Sequence, residues 1–138
     1  MDRCVYINLA GKNYPLSFSL GAAKKLIQKY GSIEKMKTSI KKEGDDVEKL
    51  ETVIWMVELL IAQGCAYKNY FEKDMPAPEN APIIEGKWAP IPKEAIEIAI
   101  QISDTKEITE KIEECINKGT KKKVEAKAER KNAKATQA

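Results

Sequence analysis

Cys4, Cys65 and Cys115 are the side chains with the most chemistry to offer, since a thiolate can attack an electrophile or ligate a soft metal. They are odd in number, far apart and without the C-x-x-C spacing of metal and redox sites, so free, buried thiols are expected. The chain has no histidine, which removes the commonest general base and the commonest zinc ligand. No G-x-x-x-x-G-K phosphate loop, no G-x-G-x-x-G after a strand and no nucleophile elbow is present. Glu58 interrupts the apolar stretch VIWMVELLIAQG, residues 53–64, but no second carboxylate or base stands at a suggestive spacing, so it reads as a solvent-facing residue. Neither catalytic residue, cofactor nor metal is expected.

With catalysis set aside, the apolar stretch itself has to be explained. A bilayer span needs ~20 consecutive apolar residues, and this run is broken by Glu58 and closed by Gln63 and Gly64, which suits a core. The opening MDRCVYINLAG lacks the basic start and long apolar stretch of a secretory signal, so a cytosolic protein is expected.

The net charge of +3 hides an asymmetry. Residues 120–138 carry seven basic residues, Lys121, Lys122, Lys123, Lys127, Arg130, Lys131 and Lys134, against two Glu. Of the chain's 24 basic and 21 acidic residues this leaves 17 and 19 for residues 1–119, so the body is not a basic nucleic-acid surface. The tail has no aromatic residue and cannot pack a core, so it is expected to be disordered or transiently helical. Two regions follow: a folded domain over 1–119 and a basic low-complexity tail over 120–138.

Within the body, Val5, Ile7 and Leu9 alternate, Gly11, Lys12 and Asn13 supply turn chemistry, and Tyr14, Leu16 and Phe18 alternate again, predicting a β-hairpin. Pro15 confines the second strand to an edge. From Leu20 the period becomes helical, with Leu20, Ala23, Leu26, Ile27 and Tyr30 on one face and Gly31 as stop. Ser32 starts a second helix with an Ile33, Met36, Ile40 stripe that ends by Gly44. Asp45 or Asp46 caps a long third helix, apolar on most sides, with an exposed edge expected through Glu51, Trp55 and Glu58.

Residues 74–92 hold five of the six prolines and read as a long connection in which Trp88 is either a lid over the core or an exposed anchor. KEAIEIAIQIS, residues 93–103, alternates like a strand at Ile96, Ile98, Ile100 and Ile102, yet Pro92 and the Ile96, Ala99, Ile100 set favour a helix, which is the reading adopted. Asp104 and Glu107 form a capping box for a last helix with Ile108, Ile112, Cys115 and Ile116 inside and Gly119 at its end. The expected class is α+β, mainly α: an N-terminal hairpin packed on a small bundle of about five helices.

The run GKNYPLSFSLGAAKKLIQKYGSIEKM, residues 11–36, followed by VIWMVELLIAQG, resembles the tail assembly chaperones of long-tailed bacteriophages and prophages, especially those of Gram-positive hosts. The shared pattern is a G-K-x-Y-x-L hairpin, an apolar step into a short helix, a Y-G-S corner and a long helix, spanning about residues 3–119. The resemblance implies a protein that binds the tape measure protein, with the tail tube protein as a second client. It also implies action in the host bacterial cytoplasm and absence from the mature virion. Many members are made in a second, longer form by a frameshift near the end of the gene, and the Lys121–Lys123 run is compatible with an A-rich slip site.

An apolar groove on a small helical domain can shield a long amphipathic client by helix-in-groove packing. Trp55, Leu59 and Trp88 are the candidate partner contacts, each with a structural alternative, and self-association is a further candidate. The rival reading is a small nucleic-acid-associated protein whose lysine-rich tail neutralises phosphates, binding that would weaken steeply with salt.

Overall fold

The computed structural model describes residues 3–120. Strands β1 (Val5–Leu9) and β2 (Lys12–Leu16) form an antiparallel hairpin in the register Val5↔Leu16, Ile7↔Tyr14, Leu9↔Lys12. Helices α1 (Leu20–Tyr30), α2 (Ile33–Lys41) and α3 (Val47–Phe71) follow. A two-residue hairpin, β3 (Ile83–Ile84) and β4 (Lys87–Trp88), precedes α4 (Lys93–Ala99). A 3-10 turn at Ile102–Asp104 leads into α5, residues 105–120. The expected class, a hairpin on a mainly helical bundle, is what the chain builds.

The turn of the first hairpin is Ala10–Gly11, not Gly11–Asn13. Both residues have positive φ (51° and 86°), the type I′ geometry whose twist matches the flanking strands. β2 departs from simple alternation: Tyr14, Pro15 and Leu16 are all buried, because α3 and the loop before β3 cover what β1 leaves open.

Helix α3 is the element on which the others pack. At 25 residues it has the length and composition of a membrane span, and half of its most apolar window is buried inside the fold. Val53, Met56, Val57, Leu60 and Ile61 are fully or almost fully buried, contacting β2, α1, α2 and α4. The crossing with β2 requires Gly64. A Cβ there would lie 2.0 Å from the Pro15 carbonyl oxygen, and beside it the Ser17 amide donates to the Leu60 carbonyl at 3.1 Å. A glycine inside a helix costs about 1 kcal/mol relative to alanine, and here it is what lets strand backbone rest on helix backbone.

Capping follows the sequence in part. Ser19, Ser32 and Asp46 each accept from an amide three residues on. Asp46 rather than Asp45 is the cap of α3, which leaves Glu48 out of a capping box. The box before α5 is Gln101 with Asp104, not Asp104 with Glu107, because the helical path begins three residues earlier as the 3-10 turn. Gly119 does not end α5, which runs on to residue 120. Its role is close approach, since a Cβ there would lie 2.7 Å from the Phe18 carbonyl oxygen.

Two faces differ from expectation. In α1 the buried residues are Ala22 and Leu26, whereas Leu20 and Ile27 are exposed: α1 touches the core with one narrow edge. The 93–103 segment is helical as expected but stops at Ala99. Ile96 is fully buried, and Ile98 and Ile102 face solvent.

Candidate functional site

The proline-rich connection, expected as a long spacer, contains a short hairpin of its own. Glu85 and Gly86 both have positive φ (51° and 79°) and close the Ile83↔Trp88 hairpin with a second type I′ turn. This hairpin is fastened to α3 by Asn69: its amide nitrogen donates to the Trp88 carbonyl and its carbonyl oxygen accepts the Trp88 amide, each at 2.9 Å. A side-chain amide has one donor face and one acceptor face, so one asparagine replaces a strand neighbour for Trp88.

Under the tryptophan lies Lys68, itself buried. Its Nζ reaches Glu72 Oε1 at 2.9 Å and stands 5.4 Å from the centre of the Tyr6 ring and 5.5 Å from that of Trp88. Two aromatic faces and a carboxylate offset the loss of water around the ammonium. Trp88 is thus a lid: it is 9 % exposed and joins the core.

Beside this lid runs a groove of about 700 Å³. One wall is the end of α3, through Ala66, Asn69 and Tyr70 at the i, i+3, i+4 spacing of a helical stripe, continued by Lys73 in the turn after it. The other is the hairpin, through Ile83, Gly86, Lys87 and Trp88, and Met75 and Ala77 close one side. The apolar side chains here are not covered. Tyr70 and Phe71 are 78 % and 74 % exposed, and Met75 and Ile84 are also well exposed. Tyr67, Phe71 and Tyr70 adjoin in succession as tilted pairs, with ring centres 5.3 and 6.2 Å apart, and Arg3 lies over Tyr67 at 4.9 Å. Contiguous exposed apolar surface of this kind marks binding sites.

The three residues named from sequence are scattered. Trp88 lines the groove while contributing to the core. Leu59 is 8 % exposed and belongs to the core, so it presents no surface to a partner. Trp55 is half-buried, edge-on to Tyr30 at 5.4 Å, with Lys29 above both rings. The edge expected to be open, Glu51 to Glu58, is partly covered: α4 packs against α3 there and Lys93 meets Glu51 at 3.0 Å. The seven tail residues Lys121, Lys122, Lys123, Lys127, Arg130, Lys131 and Lys134 lie outside the described residues.

Reasoning from sequence missed Tyr70, Phe71 and Met75. The available signals were the Tyr-Phe pair at the end of a helix whose core stripe was already satisfied, and Glu85-Gly86 between Ile-Ile and Lys-Trp, a short hairpin pattern.

All three cysteines are buried and none is in a disulfide. Burial pushes the thiols of Cys65 and Cys115 up to about 12 from 9.0, and neighbouring Cys4 adds to the rise. Thiols so held stay protonated and unreactive near neutrality. Among the described residues no group of three or more Cys, Asp or Glu side chains is arranged to hold a metal. Compared with family models, curated proteins and solved structures, the chain matches none.

Proposed function

We propose that this protein is a phage tail assembly chaperone. It binds the tape measure protein, and the tail tube protein as a second client, through apolar contacts without catalysis, in the host cytoplasm. The observation that carries the proposal is the uncovered apolar surface around the groove between α3 and the β3–β4 hairpin, on a fold whose other large side chains are mostly packed away. A tape measure protein is a long helical chain with apolar stripes, the kind of client that a groove walled by a helix can shield. The N-terminal hairpin and long central helix, which carried the resemblance in sequence, also support this reading.

Co-expression with the tape measure protein encoded nearby tests it. The client is expected in the soluble fraction with this protein and in the pellet without it, and equal partitioning in both would overturn the proposal. A chain ending at Thr120 is expected to keep client binding, whereas a function resting on the basic tail would vanish with residues 121–138.

A further inference from the structure

The groove's charge says what kind of helix it suits, an inference that rests on the chaperone reading only for the partner's name. Among the described residues lining it, three are charged: Glu72, Lys73 and Lys87. Glu72 is engaged by buried Lys68, so the open charges among the lining residues are the two exposed lysines. They stand on opposite walls, Lys73 in the turn just after α3 and Lys87 on β4.

We propose that the groove takes an amphipathic helix whose apolar stripe seats on Tyr70, Met75 and Ile83 and whose flanking residues are acidic, meeting Lys73 and Lys87. A helix suits the site better than a strand. The stripe on α3 offers ridges for another helix, while β3 and β4, two residues each, have too few backbone groups to template an added strand. Charge also excludes two other occupants. The chain's own segment 120–138, with seven basic residues to two acidic, would bring like charge to a cationic rim. A second copy docked face to face about a two-fold axis would set lysines against lysines.

Full-length protein is panned against a randomised library of 20-residue peptides displayed on messenger RNA. The enriched peptides are expected to combine apolar residues at helical spacing with flanking Asp or Glu, and to bind severalfold more weakly as salt rises from 0.05 to 0.5 M. Tyr70→Ser and Met75→Ser alter exposed side chains, and with the circular dichroism and melting of the parent they are each expected to weaken binding at least tenfold. Lys73→Glu with Lys87→Glu is expected to invert the selection toward Lys-flanked peptides.

The proposal is overturned if nothing is enriched, if enriched peptides are basic or lack helical spacing, or if binding survives both serine substitutions. A dimer in sedimentation that the same substitutions dissolve would overturn it too. The two readings fail separately. Should the serine variants still keep a tape measure protein soluble, the groove is wrong and the chaperone stands; should wild-type protein fail to solubilise that client while the acidic peptides bind, the reverse holds.

Discussion

Gly64 is the residue at which the crossing of strand and helix is decided. Any side chain there meets the Pro15 carbonyl at 2.0 Å, a contact with backbone on both sides and no flexible end to yield. Gly64→Ala is therefore expected to destabilise the protein by about 3 kcal/mol, although alanine favours helix, and urea denaturation measures it. Gly119→Ala should do so less, since the Phe18 carbonyl meets it at 2.7 Å, a less severe overlap. The buried thiols give a second expectation at this scale. Below about pH 9 folded and unfolded chains both keep Cys65 and Cys115 protonated, and their contribution to stability is intact. Between about 9 and 12 the unfolded chain releases these protons and the folded chain does not, so stability falls as pH rises, by up to about tenfold in the folding constant per pH unit per thiol. Tyr14, raised by burial and by Cys65, and Lys93, raised by its hydrogen bond to Glu51, act in the same direction. The slope of stability against pH from 9 to 11 should shrink when Cys65 and Cys115 are replaced by alanine, and an unchanged slope would contradict the assignment.

Among elements, the β3–β4 hairpin is the least secured, because two residues per strand cannot hold themselves. Its anchors are the Asn69 clasp and the Trp88 ring on Lys68. Asn69→Ala is expected to cost about 2 kcal/mol by stranding both backbone groups of Trp88. Hydrogen exchange should speed up at residues 82–89 and not in α2, and tryptophan emission should shift to the red. The contrast with β1–β2 shows where sequence was informative. The first hairpin announced itself through alternation at Val5, Ile7 and Leu9, and α3 through an apolar run interrupted only by Glu58, since both patterns record which face is buried. The second hairpin is fastened by a side chain 19 residues away, and no local pattern can register such a contact. For the same reason the inner face of α1 is only partly legible: Leu26 is buried and Tyr30 packs on the core as the stripe implies, but Leu20 and Ile27, which repeat as core residues would, are exposed.

Across the whole molecule, β1 and α5 belong to one core though they stand at opposite ends of the described chain. Lys118 donates to the Cys4 carbonyl at 3.3 Å, Gly119 abuts Phe18, and Ile112 and Ile116 are fully or almost fully buried. Ile112→Ala is expected to cost about 2–5 kcal/mol, and hydrogen exchange should accelerate in β1 as much as in α5 if the two open as a unit. The candidate site was only partly legible at this scale. Trp88 could be named from its rarity in a proline-rich stretch, whereas the exposure of Tyr70 and Phe71 depends on α3 running past the elements that cover it.

The pairing of Cys4 with Lys118 spans 114 residues, and this has a bearing on biosynthesis. At a translation speed of about 5–20 residues per second, the first strand waits on the order of 6–20 s before the helix that completes its cover has been made. Nascent chains stalled before Ile112 should remain sensitive to protease from their first residues onward, and resistance should arrive in a single step once α5 clears the ribosome.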